Sequence, residues 1–289
     1  MTTSTIRSAD YPTSAIHAAE PTSSRVANAL PRAIQFPHFP EKHAEPSVTG
    51  PEVFGNIPLE QVPKTVVLCL TKFLDAAVDR VLSNHPNSSQ SKVFSDLHFL
   101  NPSVALLRNK MFLGAPLATV VLERLIHLGV RNFLILGIAG SLREGTNIGQ
   151  VVVCDKAVRD EGTSYHYLPP SEFAFPASAL SSQLTSYLRE QGLDVQVGGT
   201  WTTDAIFRET PLEVRRLAAK GILTVEMEAS ALFSVAQYRQ VNLGAVFVVS
   251  DLVHRKTWER GMDGEHMSKA IDRLLPHLVA FAADQIRLP

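Results

Sequence analysis

The chain has 289 residues, enough for one large α/β domain or two small ones. Apolar residues make up 45% and charged residues 19%, a balance that fills a core and excludes a disordered chain. A formal net charge of −1 offers no general attraction to nucleic acid or to an anionic membrane, so neither is an expected partner.

Residues 1–51 are rich in Ser, Thr, Pro and Ala and lack sustained periodicity. We read them as a flexible arm, with residues 52–289 as one folded domain. The arm has no apolar stretch of the secretory type. Arg7, Arg25 and Arg32 among hydroxyls have a transit-peptide flavour, offset by Asp10 and Glu20. The cytoplasm is the expected compartment, with organelle targeting as the alternative. No run approaches about 18 uninterrupted apolar residues, so no membrane span is expected. Cys69 and Cys154 both lie in apolar runs and read as buried thiols, not a disulfide framework.

Thr65 to Leu70 is a continuous apolar run and predicts a buried strand. Phe73 to Leu82 has helical spacing, Ser83 to Ser91 reads as a polar loop, and Val104 to Leu107 as a weak strand. Gly114-Ala115-Pro116 opens a helix that stops at Gly129. Phe133 to Leu136 is a buried strand ending in Gly137-Ile138-Ala139-Gly140-Ser141. Val151 to Cys154 is another strand, followed by a polar and aromatic loop from Arg159 to Pro170. Ser178 to Gln191 is an amphipathic helix, Val195 to Gly198 a short strand, and Leu212 to Lys220 a charged helix. Val225-Glu226-Met227-Glu228 heads an Ala-rich helical run. Gly244 to Val249 is a strand that ends on Ser250-Asp251, and His266 to Ile286 closes the chain as a helix. This alternation predicts an α/β fold: a single three-layer domain whose central mixed, largely parallel sheet is flanked by helices. Ligands in such folds gather at the carboxyl ends of strands.

The chemistry-bearing residues fall near predicted strand ends. Glu226 and Glu228 sit at a helix start, where a carboxylate suits a diol; the alternative is a solvated helix start. Gly137 and Gly140 can bring backbone N–H groups to an anion, or serve only as turn residues. Asp251 is either a general acid or a helix cap. His166, in the loop Thr163 to Tyr167, closes over a ligand or packs within the loop. Trp201 and Trp258 line a pocket or pad it. No His or Cys cluster points to a metal.

Taken together, these stretches resemble the nucleoside phosphorylase superfamily, which includes purine nucleoside and uridine phosphorylases and related nucleosidases. Val225-Glu226-Met227-Glu228-Ala229-Ser230-Ala231-Leu232 is the most specific match. Gly114-Ala115-Pro116, Gly137 to Leu142, Gly149 to Val152, Asp160 to Ser164, and Thr202-Thr203-Asp204 with Phe207 support it. The resemblance spans Gly114 to Asp251 and, more loosely, Lys64 to the C-terminus. It implies that Glu228 and Glu226 bind ribose hydroxyls, Met227 packs on the sugar and Phe207 stacks on the base. Asp251 would protonate the leaving base, with Arg255 or Arg260 orienting it. Gly114, Gly137, Gly140, Thr203 and His166 would complete the substrate pocket. The loop after Phe207 shows no Gln/Arg pair of the kind that reads a pyrimidine, so a purine-like base is expected. No cofactor is implied beyond phosphate as a possible co-substrate. A homo-oligomer, trimeric or hexameric, is expected.

One part of the pattern is missing. The family's phosphorylases carry a P-G-D-P-x-R run after the first strand; here it reads Leu70 to Asp75, with Thr71 for the glycine and Asp75 for the arginine. A second arginine position and a hydroxyl position are Ile135 and Ile138. Burying a phosphate without its cations costs several kcal/mol per unpaired ion. Hydrolysis of a nucleoside is therefore the expected reaction. The alternatives are a phosphorylase whose anion site is rebuilt from Lys72, Lys92, Arg108 or Arg143, and a non-catalytic nucleoside-binding protein.

Overall fold

The computed structural model describes residues 39–54, 62–93, 95–109, 114–254, 258–284 and 286. Its first half runs β1 (Thr65–Cys69), α1 (Asp75–Ser83), β2 (Ser89–Val93), β3 (Ser95–Phe99), β4 (Val104–Arg108), α2 (Gly114–His127), β5 (Asn132–Ser141), β6 (Val151–Asp160) and β7 (Phe173–Ala174). The second half runs α3 (Ser178–Glu190), β8 (Val195–Thr203), α4 (Pro211–Ala219), β9 (Ile222–Glu226), α5 (Ala229–Arg239), β10 (Asn242–Leu252), β11 (Glu259–Arg260) and α6 (Glu265–Asp284).

The strands form one mixed sheet flanked by helices, the layered α/β arrangement expected from the sequence. Alternation along β5 shows how the layers are built. Leu134 and Leu136 join the core cluster that holds residues of α1, α3 and α6, while Phe133 and Ile135 join the cluster that holds residues of α2 and α5. Both faces are covered, so the strand reads as a continuous apolar run. Each fully buried side chain of this kind contributes roughly 1.5–3 kcal/mol relative to exposure. Cys69 and Cys154 are buried free thiols. Among the described residues no helix is long and apolar enough to cross a membrane.

The sheet has one feature that the sequence did not announce. Strand β10 pairs with β5 on one side and with β6 on the other. Strands β6, β8, β9 and β5 then pair in turn, closing a five-stranded ring. Strands β1, β4, β3 and β2 extend the sheet outward from β5. The β2–β3 hairpin lies partly where a polar loop was expected.

The ring positions the site through its register. At the end of β5, Gly140 pairs with Val225 of β9 and with Asp251 of β10. Thr202 of β8 pairs with Glu226. Residues far apart in the chain thus meet around Gly140.

The end of the expected arm is structured. A short turn, Pro40–Ala44, sets Lys42 Nζ 2.8 Å from His166 Nδ1 and His43 Nε2 2.9 Å from the Tyr165 carbonyl oxygen. Arg124 of α2 donates to the Pro51 carbonyl at 2.8 Å. The rest of the arm, up to residue 38, lies outside the described residues.

Candidate active site

Glu226 is the last residue of β9, and α5 begins three residues later. Its buried carboxylate accepts the Thr202 hydroxyl at 2.6 Å and the N–H groups of Glu228 and Ala229 at 2.7 and 2.8 Å. Two of those donors belong to the first turn of α5, whose N–H groups have no helical partners. Glu226 therefore caps α5. Both of its oxygens already accept donors from the fold.

Glu228 is the N-cap residue of α5, half-buried, and accepts the Gly114 N–H at 2.7 Å. Gly114 opens α2 with φ +64°, a conformation that favours glycine. Half-buried Met227 lies between the two carboxylates in the chain. Burial pushes Glu226 up and its three donors pull it back. Burial, and then the Glu226 charge, pushes Glu228 up. Both carboxyls are thus held above the ordinary range, first by burial.

Further hydrogen bonds support this corner. Thr202 Oγ1 accepts the Ser230 N–H at 2.9 Å, and the Ser230 hydroxyl donates to Glu161 at 2.8 Å. Glu161 also accepts the Ser164 N–H at 2.9 Å, which ties the 163–167 loop to α5. His166 sits in that loop, bonded to Lys42; burial and then the Lys42 charge hold its imidazole below the ordinary range. Buried Thr203 accepts the Ala205 N–H at 3.2 Å and shapes the turn after β8.

Asp251 is 5% exposed, near the end of β10. Its Oδ1 accepts the Ser250 hydroxyl at 2.6 Å and its Oδ2 accepts the Trp258 indole N–H at 2.7 Å. Gly140 leaves it room: a Cβ there would lie 3.0 Å from Oδ2. At Gly137 a Cβ would lie 3.0 Å from the Phe247 ring. Both glycines lie inside β5, not in a turn after it. The missing side chains allow this close packing. Arg260 does not orient Asp251; it pairs with Asp263 at 2.7 Å. Arg255 lies outside the described residues.

Phe207 is 95% exposed, on a short turn at Ile206–Arg208, and fills no pocket in this chain. The next residue but one, Glu209, is half-buried. Burial, then the Asp251 and Glu213 charges, pushes its carboxyl up to about 7. The sequence does not single out Glu209, whose loop from Arg208 to Pro211 shows only the absence of a Gln/Arg pair, and Glu209 does not cap the helix that follows. The cap is in fact Thr210, in a reciprocal box with Glu213.

A family model described as the phosphorylase superfamily matches residues 74–283. The chain belongs to the phosphorylase superfamily. It is 32% identical over 142 residues to a DeoD-type purine nucleoside phosphorylase of Bacillus cereus, a match covering 48% of this chain and 60% of the relative. It is 29% identical over 163 residues to a guanosine phosphorylase of Halorubrum lacusprofundi, covering 56% and 68%. The chain thus matches little more than half the length of its Bacillus relatives. A purine nucleoside phosphorylase from Toxoplasma gondii, crystallised with immucillin-H, shares the fold at a TM-score of 0.68, with 17% identity over 78% of this chain and 92% of that one.

Within the superfamily pattern, the positions expected for phosphate ligands hold other chemistry. Ile135 is fully buried in the cluster of α2 and α5, and Ile138 packs against the opposite cluster, that of α1, α3 and α6. Asp75 accepts Arg108 Nε at 2.8 Å, and Asp79 accepts Arg108 Nη1 at 2.6 Å. Arg108, at the end of β4, is thus taken by carboxylates. Buried Thr71 accepts the Phe73 N–H at 3.4 Å. Lys72 Nζ lies 5.5 Å from the Phe73 ring centre, and Arg143 is exposed. The Lys92 side chain lies outside the described part of the structure.

Proposed function

We propose that this chain cleaves the N-glycosidic bond of a purine-like nucleoside and passes the sugar to water. Membership of the superfamily and similarity to proteins named purine nucleoside and guanosine phosphorylases support the bond and the base class. The observation that carries the choice of water is the pair of carboxylates on Arg108. An incoming phosphate would have to displace Asp75 and Asp79 from that guanidinium, against like-charge repulsion.

In this reading Glu228 accepts a ribose hydroxyl from a helix N-terminus, where negative charge is favoured. Glu226 holds Glu228 and α5 in place. Bond cleavage leaves positive charge on the sugar and negative charge on the base. Asp251, within electrostatic reach of Glu209, delivers the proton that neutralises the leaving base; general acid help of this kind is typically worth ~10²–10⁴-fold. Water then attacks the cationic sugar, and the proton it releases restores the Asp251 carboxyl group. Phe207 and Trp258 are the aromatic surfaces available to the base. The relatives' names favour a second reading, phosphorolysis with a rebuilt anion site.

The test is a panel of inosine, guanosine, adenosine and uridine, with and without phosphate, resolved into free base, ribose and ribose 1-phosphate. Base plus free ribose at a rate unaffected by phosphate is the expected result. Turnover that requires phosphate and yields the sugar phosphate would sink the water reading and point to Arg108 as the residue to free. An Asp251→Asn variant should lose turnover and keep nucleoside binding.

A further inference from the structure

We propose that Trp258 is the positioning residue for Asp251, a neutral donor standing where a cation was expected. This rests on reading Asp251 as the acid.

Three observations converge on it. The first is the contact: Trp258 Nε1 lies 2.7 Å from Asp251 Oδ2. The Ser250 hydroxyl takes the other oxygen, so the two donors together fix the plane of the carboxyl group. The second is how the chain places the indole. Strand β11 returns antiparallel along β10, pairing Glu259 with Leu252 and Arg260 with Asp251. The Gly261 N–H continues the zipper to the Ser250 carbonyl at 2.9 Å. Trp258 enters this return immediately before β11 and is carried back over Asp251.

The third is exposure. The chain has two tryptophans, and each donates its indole N–H to an aspartate. Trp201 is 2% exposed within a core cluster, and burial alone accounts for it. Trp258 is 55% exposed, so apolar burial does not explain its position. Its specific interaction is the bond to Asp251. An indole fixes a carboxyl group through one N–H and brings no positive charge. A guanidinium would hold the carboxylate as firmly and, by its charge, oppose protonation of the acid. A neutral donor orients the carboxyl group and adds no charge beside it.

The test pairs ¹⁵N-indole NMR with kinetics, on the full chain. The wild type gives two indole N–H signals, and Trp258→Phe removes one and assigns it. In Asp251→Ala the Trp258 signal should move while the Trp201 signal, held by Asp160, stays. In steady-state assays on whichever panel nucleoside is cleaved, Trp258→Phe should lower kcat by about tenfold and change KM little, the pattern of a misplaced acid. A Trp258 signal indifferent to Asp251→Ala would overturn the proposal. So would a raised KM with unchanged kcat, which marks a residue that only packs on the base. The NMR arm needs no turnover, so a wild type that cleaves no nucleoside would count against the functional reading alone.

Discussion

Two carboxylates two residues apart do different work here, and their partners decide which. Glu226 accepts three donors and closes the start of α5, while Glu228 accepts one backbone N–H and stays half-buried. Glu226→Ala strands two helix N–H groups and the Thr202 hydroxyl in a buried setting. The expected loss is about 2–4 kcal/mol of folding stability, measured as a shift in the urea midpoint. Glu228→Ala should cost less than about 1 kcal/mol and instead raise KM for nucleoside. Equal effects on stability would mean that the division of labour is wrong. From the sequence the Val225–Glu228 motif located this corner but did not rank the two acids. Ranking them depends on which oxygen meets which N–H. That is set by the bend between β9 and α5, which apolar spacing does not report.

At the scale of elements, the long buried strands were legible because both of their faces are covered. Thr65 to Leu70, Phe133 to Leu136 and Gly244 to Val249 are continuous apolar runs, and β1, β5 and β10 lie there. The polar β2–β3 hairpin was not, since Ser89 to Phe99 lacks a clean alternation of apolar residues. Strand β9 was hidden inside what read as a helix start. The closed ring was also out of reach, because it depends on pairing near Gly140 between residues more than eighty positions apart. That pairing makes a prediction about β5. In Gly140→Ala the new methyl group would press on Asp251 Oδ2 at 3.0 Å and on Val253 and Val225 at 3.1 and 3.2 Å. The strand has no need of a left-handed backbone there, so the damage falls on the neighbours. Overpacking of this kind costs about 1–3 kcal/mol. If the carboxyl group is what yields, kcat falls by about tenfold or more while the protein stays folded. Full kcat with lowered stability would show that the valines yield instead and that Asp251 keeps its place.

For the whole molecule, the site has a consequence for the pH dependence of folding. Glu209 is pushed up to about 7 and Glu228 is also raised, both first by burial. In the unfolded chain such carboxyls ionise near 4.3. Between those values the folded protein holds protons that the unfolded chain has released. Stability therefore falls as pH rises through roughly 4.5 to 7, and levels off above the folded value. His166, held below its ordinary range, works in the opposite direction at the acid side of neutrality. The useful measurement is therefore a difference. Urea midpoints of the wild type and Glu209→Gln should be compared at pH 5 and pH 8.5. The wild type should lose more stability than the variant over that interval, by about 1–2 kcal/mol once partial exposure of Glu209 is discounted. A variant that loses as much as the wild type would show that Glu209 is well solvated, and would separate it from Asp251. Such a slope is the stability cost of holding the Glu209 carboxyl group half-buried within electrostatic reach of Asp251.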